Sequence, residues 1–205
     1  MPQHLTHIFT QIADGLADRG YADVAQFLQP EEASAILQTD EFVNHKLHFR
    51  KAGVGKTDNR IHENIRGDYI QWIDPVTAPA AEQVYLTRLR DLLSFLNQNL
   101  FLSLKDIEIH RTVYPAGARY ERHVDQFRQD DHRKLSIICY LNADWKESEG
   151  GQLVLYLGKE SLSILPHLGR LICFRSDLLE HEVLPSTRER YSLTGWAVDQ
   201  LPELR

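Results

Sequence analysis

The second half of this chain is cut into short segments rich in branched and aromatic residues, KDIEIHRTVY, KLSIICYLN, GQLVLYL, SLSIL, GRLICFRS and RYSLTGWAV, parted by clusters of Gly, Pro, Asp and Asn. Such side chains suit a pleated, half-buried surface, and turn residues at this spacing mark hairpins rather than helical crossovers. Connections of helix length between the segments are absent, so a doubly wound parallel sheet is disfavoured and an antiparallel sandwich or barrel is expected. The first hundred residues read as mostly helical. Leu5, Ile8, Phe9, Ile12 and Leu16 recur at spacings of three and four, which predicts an amphipathic helix ending near Gly20. A second begins at Pro30, with Glu31 and Glu32 at the positive end of its dipole. A third and longer one runs from about Ala78 to Asn99, with Val84, Leu86, Leu89, Leu92, Leu93, Phe95 and Leu96 on one apolar stripe. The expected architecture is a single α+β, mainly β domain over residues 1–205. Its helical and loop part covers about 1–100 and its β core about 101–198, with the helices packed on one sheet.

A chain of 205 residues can bury a core without disulfides or a structural metal. No apolar run approaches the roughly 20 residues that span a bilayer. The N-terminus, MPQHLTHIFTQIADGLADRG, lacks the basic start and continuous apolar run of a secretory signal. A cytoplasmic protein with no membrane partner is therefore expected. Cys139 and Cys173 sit in apolar runs without a CxxC or CxH partner and read as buried reduced thiols. A net charge of −6 and a pI near 5.9 disfavour nucleic acid as a partner, because phosphate binding needs a concentrated basic surface. AGVGKT, residues 52 to 57, has the look of a phosphate-binding loop, but Arg50 stands where that motif needs its first glycine. It reads as a glycine-rich loop.

RYERHVDQF, residues 119 to 127, places His123 and Asp125 two apart. In a chain with 10 histidines such a pair arises readily by chance, and alone it reads as well as a hydrogen bond at a strand end. On a strand, however, residues i and i+2 share a face, so both side chains can reach one point. His181, in DLLEHEVLPS just after GRLICFRS, is the natural third partner. Two imidazoles and one carboxylate on one side of a metal leave positions open opposite, as in non-haem Fe(II) oxygenases, whereas zinc more often recruits a third His or a thiolate. Nine residues on, RYSLTGW alternates Arg190, Ser192, Thr194 and Trp196 onto one strand face. An arginine buried there needs a carboxylate for its guanidinium fork. A diacid bound to the metal by one end would supply one at the other, and the alternative is an internal ion pair with an acid such as Glu182. Tyr140, on the inward parity of SIICYLN, and Tyr114 are placed to donate hydroxyls to the same group. The implied ligand is 2-oxoglutarate. Taken singly, Tyr114, Tyr140 and Trp196 are more often sheet aromatics than cosubstrate contacts. Trp72 and Trp145 read as core, and His132 and His167 as solvated. His110 faces the pocket by strand parity.

The segments YPAGARYERHVD, YLNADW, GRLICFRSDLLEHEVLPS and RYSLTGW, with IRGDYIQWID at residues 65 to 74, resemble the 2-oxoglutarate and Fe(II)-dependent oxygenases. Within that group the chain is similar to the Egl-nine prolyl hydroxylases that modify hypoxia-inducible factor, and to their bacterial relatives. IRGDYIQW lies outside the general metal and cosubstrate signature and so narrows the resemblance to that branch. It implies a double-stranded β-helix, or jelly roll, with helices packed on one sheet. It further implies Fe(II) on His123, Asp125 and His181, and the far carboxylate of 2-oxoglutarate on Arg190 and Tyr140, with Tyr114, Thr194 and Trp196 lining the pocket. Dioxygen is then the second cosubstrate and ascorbate the reductant. The implied reaction hydroxylates C4 of a prolyl residue in a protein loop and releases succinate and carbon dioxide. Arg66 and Asp68 are then expected in a lid over the peptide and Arg133 at the entrance. By the same resemblance the target is a segment of a transcription or translation factor. Two features depart from the animal enzymes: the segment between Tyr114 and His123 is one residue shorter, and His110 stands where they carry an apolar residue. Two other functions stay open, a 2-oxoglutarate oxygenase of a small metabolite or free amino acid, and a non-catalytic metal- or oxygen-sensing module.

Overall fold

The computed structural model describes residues 2–53, 65–126 and 131–200. Residues 54–57 of the stretch read as a glycine-rich loop lie outside the described residues. Five helices, α1 (Gln3–Arg19), α2 (Pro30–Leu37), α3 (Asp40–Val43), α4 (His45–His48) and α5 (Ala80–Leu100), belong to the first half. The strands are β1 (Tyr21–Val24), β2 (Arg50–Lys51), β3 (Tyr69–Trp72), β4 (Asp106–Tyr114), β5 (Tyr120–His123), β6 (Arg133–Tyr140), β7 (Leu153–Leu157), β8 (Glu160–Ile164), β9 (Leu171–Arg175), β10 (His181–Val183) and β11 (Arg190–Val198). They form a seven-stranded sheet in the order β1-β9-β6-β11-β4-β3-β2 and a four-stranded sheet in the order β5-β10-β7-β8. Every pairing between these strands is antiparallel.

The alternation of strand side chains divides the apolar residues between two cores. Ile109, Val113, Ile137, Cys139, Cys173, Leu193 and Ala197 leave one face of the large sheet and pack with Phe9, Ile12, Leu89, Leu92 and Leu96 of α1 and α5. Ile138, Tyr140, Ile172 and Phe174 leave the other face and meet Leu153, Leu155, Ile164 and Val183 of the small sheet. α1 ends where Gly20 takes φ 77° and returns its N–H to the Leu16 carbonyl. α2 starts on Pro30, and Glu32 reaches back to the Gln29 N–H at 2.8 Å while also accepting from Arg88 of α5 at 2.7 Å. Gly195 has a packing reason of its own, because a Cβ there would stand 1.8 Å from the Glu108 carbonyl oxygen on the neighbouring strand. Both cysteines are free and buried, and burial pushes their thiols up, Cys173 to about 12. Among the described residues no helix is long and apolar enough to cross a membrane.

Candidate active site

The inner face of the large sheet is polar at its centre. On β11 it carries Arg190, Ser192, Thr194 and Trp196, whose partners on β4 are Tyr114, Thr112, His110 and Glu108 and on β6, from Ser192 onward, Tyr140, Ile138 and Ser136. A cavity between the sheets is lined by most of the inward members of this grid together with His123, Asp125, His181, Arg66 and Asp68.

His123, Asp125 and His181 each offer a ligand atom there, all within 4.8 Å of one another. Register brings them together, since His181 of β10 is the direct partner of His123 of β5. β5 ends at His123, so Asp125 occupies a bend past the strand rather than the next position on its face. It is held there by the Ser136 hydroxyl, which donates to Oδ2 at 2.6 Å and contacts Ser176 Oγ at 2.9 Å. The tautomers follow from the partners. His123 Nδ1 donates to the Glu121 carbonyl at 2.7 Å and His181 Nδ1 to the Leu179 carbonyl at 3.2 Å, because a carbonyl can only accept. Both Nε2 lone pairs therefore face Asp125, at 3.5 and 3.7 Å, and His123 Nε2 is buried without a hydrogen-bond partner. Three acceptors converge with no donor among them, which suits a cation. Burial alone would raise Asp125, but the imidazoles of His181 and His123 and the Ser136 hydroxyl bring it well below the usual carboxylate range. Burial takes His181 down to about 4, against the pull of Asp125. At neutral pH the set is one carboxylate and a neutral His181, a protonation state that receives a metal. The residues present fit an iron(II) ion with open positions on the cavity side.

Arg190 is 1% exposed, and among the described residues no carboxylate pairs with it. Its Nη2 donates to the Tyr140 hydroxyl at 3.3 Å, its Nε has no partner, and its guanidinium lies over the rings of Tyr114 and Tyr140. Glu182, the internal partner considered above, instead accepts from Tyr156. A buried cation with unused donors at the closed end of a cavity is an anion site. Burial raises the phenols of Tyr140 and Tyr114, so both stay protonated.

The other expected site residues divide. Thr194 and Trp196 line the cavity, and Arg66 and Asp68 form a bidentate pair in its wall, with Nε–Oδ1 at 2.6 Å and Nη2–Oδ2 at 2.9 Å. Asp68 is fully buried, so the pair is an internal one. Arg133 opens β6 and stacks 3.4 Å above the Trp196 ring centroid. Trp145 is buried as expected, but Trp72 is 52% exposed. It sits on β3 beside His110 and Trp196, at an end of the large sheet that the small sheet leaves uncovered. Sequence reasoning passed over Tyr120, whose ring stacks on His123 at 3.6 Å, and Ser136. For Ser136 the signal was present as a hydroxyl on the inward parity of an otherwise apolar strand.

His110 is 1% exposed, and burial lowers it to about 3, with Arg66 and Arg133 adding to the effect. Its folded value lies below the unfolded one near 6.5, so the unfolded chain takes up a proton first and stability falls as pH drops from about 6.5 toward 3. Between pH 7 and pH 5 the wild type is expected to lose about 2 kcal/mol more than a His110→Met variant. Urea unfolding of the metal-free proteins at the two pH values measures it, and equal losses would show that His110 is not buried neutral.

The 2OG-Fe(II) oxygenase superfamily is matched by residues 109–198. A crystal structure of a Pseudomonas putida prolyl-4-hydroxylase is similar to this chain at 39% identity with a TM-score of 0.85, over 94% of this chain and 100% of that one. A Trichoplax adhaerens prolyl hydroxylase, solved with a hypoxia inducible factor oxygen degradation domain peptide fragment, is similar at 28% identity with a TM-score of 0.87, over 96% of this chain and 91% of that one. Egl nine homolog 1 of Homo sapiens is 32% identical over 178 residues, 82% of this chain and 40% of the human protein. The chain spans less than two thirds of the length of the curated relatives it matches, 40% for the human protein.

Proposed function

We propose that this chain, which belongs to the prolyl hydroxylases of the 2OG-Fe(II) oxygenase superfamily, is a peptidyl-prolyl 4-hydroxylase of the cytoplasm that acts on a protein loop. The observation that carries this reading is the buried Arg190, with no carboxylate partner among the described residues, sharing one cavity with three converging acceptors. A diacid held by a metal at one end and by Arg190 at the other answers both features. When bound to His123, Asp125 and His181, iron(II) supplies dioxygen activation, with 2-oxoglutarate as the two-electron reductant and ascorbate keeping the metal ferrous. In balance, one dioxygen and one 2-oxoglutarate give succinate, carbon dioxide and one hydroxyl on the prolyl carbon.

The protein's part is placement and exclusion of water. Arg190 neutralises the far carboxylate, and the protonated Tyr140 and Tyr114 offer hydroxyl donors beside it. Ser136 fixes the Asp125 carboxylate, and the two backbone carbonyls fix the imidazoles, so little reorganisation accompanies metal uptake. Ile138, Leu153 and Val183 dry the wall opposite. Trp72, exposed beside Trp196, is a flat apolar face for a prolyl ring, with Arg66, Asp68 and Arg133 as further substrate contacts. The partner is a proline-bearing segment of a protein, such as a translation or transcription factor.

The direct test incubates Fe(II)-loaded protein with 2-oxoglutarate in air, with and without a protein extract, beside a His123→Ala control. The expected result is succinate that rises with the extract, is lost in the control, and accompanies one added oxygen atom on a prolyl residue by mass spectrometry. Succinate that rises with small metabolites but not with protein would move the assignment to a metabolite oxygenase. No succinate under any condition would leave a metal-binding module.

A further inference from the structure

His110 is a titratable residue of the inner face whose chemistry the proposed reaction leaves unused. Its Nε2 is buried and unpartnered, and it lines the cavity. Nδ1 lies 2.8 Å from Thr112 Oγ1, and among the described residues this is the only hydrogen bond of that hydroxyl. With the Thr112 hydroxyl as the donor, Nδ1 accepts and Nε2 carries the hydrogen, the tautomer that the ring resonances below read directly. Trp196 Nε1, which can only donate, is a second buried donor without a partner, on a ring 5.7 Å from that of His110. Two unsatisfied donors on adjoining rings in one cavity mark the place of an acceptor. Its charge follows from the neighbours: Arg66 is paired with Asp68, which offsets it at His110, and Arg133, stacked on Trp196, leaves the nearby cationic charge in excess. That surrounding favours an anion over a neutral carbonyl. Arg190 pairs with Tyr114, and His110 pairs with Thr194 four positions along the same strand, so the second acceptor site lies toward Ser136 and Asp125, away from the arginine.

We propose that His110 is a cosubstrate-binding residue, its Nε2–H and the neighbouring Trp196 Nε1–H donating to the carboxylate of 2-oxoglutarate opposite the one held by Arg190. The inference rests on the 2-oxoglutarate reading of the cavity. It assigns two recognition points to the two ends of the diacid, Arg190 at one and the His110–Trp196 pair at the other.

Calorimetric titration of 2-oxoglutarate into oxygen-free, Mn(II)-loaded protein tests it without turnover. His110→Met is expected to weaken binding about tenfold, the worth of one hydrogen bond to a charged group, and His110→Gln, which restores an N–H, to recover to within about threefold. In the Zn(II)-loaded wild type, the His110 ring ¹⁵N resonances should report a protonated Nε2 that shifts on adding 2-oxoglutarate, a readout that needs no variant. Unchanged affinity in His110→Met, a loss that glutamine does not recover, or a ring signal indifferent to 2-oxoglutarate overturns the proposal. Wild-type protein that binds no 2-oxoglutarate sinks the oxygenase reading itself. Wild-type binding lost in Arg190→Met but kept in His110→Met sinks this inference alone.

Discussion

Arg190→Met is expected to weaken 2-oxoglutarate binding by about 2–5 kcal/mol, roughly 30-fold to several thousand-fold, because it removes one partner of a buried, hydrogen-bonded charge pair. The same substitution is expected to stabilise the unliganded protein. In the empty cavity the guanidinium is buried at 1% exposure, with one hydrogen bond to Tyr140 and no carboxylate among the described residues. An uncompensated buried charge opposes folding, whereas methionine fills much of the same volume without it. Stability would here be given up for a binding charge, as at other functional sites. Arg190→Lys keeps the charge but not the planar fork and should bind with intermediate affinity. Thermal unfolding of each protein with and without 2-oxoglutarate reads both effects together. Only the wild type should gain strongly from ligand, and Arg190→Met should unfold highest without it. A ligand-induced gain in Arg190→Met equal to that of the wild type would remove Arg190 from the site.

How much of this was legible depends on the range of the interactions involved. The stripes of α1 and α5 repeat over several turns, so Leu5, Phe9, Ile12 and Leu16, or Leu86, Leu89, Leu93 and Leu96, declare a buried face without any knowledge of its partner. β4, β6, β9 and β11 were equally plain, because central strands carry branched residues on both faces. β1, β2, β3 and β10 are two to four residues long, and what makes them strands is a distant partner: Phe174 for Tyr21, Thr112 for Ile70, Leu155 for His181. No local window contains that information. The strand-parity argument reached His123 and Asp125 as neighbours, but Asp125 arrives by a bend and the Ser136 hydroxyl, a contact across 11 positions. Trp72 was misplaced in the core because hydrophobicity does not say which end of a sheet its partner layer leaves open. Arg190 was the opposite case. Its parity on β11 put a charge inside, and only the structure, by giving Glu182 to Tyr156, removed the internal partner that the sequence left open.

The ion pair between Arg111 and Glu82 had no local signal at all, and it is expected to be among the most sensitive points of the fold. Arg111 lies on β4 between the two cavity residues His110 and Thr112 and points the other way, toward α5. Its Nε and Nη2 each reach a Glu82 carboxylate oxygen at 2.6 Å, Nη1 donates to Gln71 of β3 at 3.0 Å, and neither charged side chain is more than 4% exposed. Glu82→Ala leaves the buried guanidinium beside a void, with Gln71 and the more distant Glu41 carboxylate at 3.9 Å as its remaining partners, and should destabilise the protein by about 3 kcal/mol, a large share of the total stability of an ordinary domain. Glu82→Leu combined with Arg111→Met removes both charges and fills the space. It should fall within about 1–2 kcal/mol of the wild type, because a buried pair roughly breaks even against apolar residues of similar volume. Urea unfolding of the wild type, Glu82→Leu, Arg111→Met and the double variant closes the cycle, with a large coupling energy expected. The double variant also separates fold from chemistry: with β4 held by apolar packing, His110 and Thr112 keep their inward positions and 2-oxoglutarate should bind as it does in the wild type. Additive losses in the double variant would mean that the two side chains stabilise the protein through separate contacts rather than as a pair.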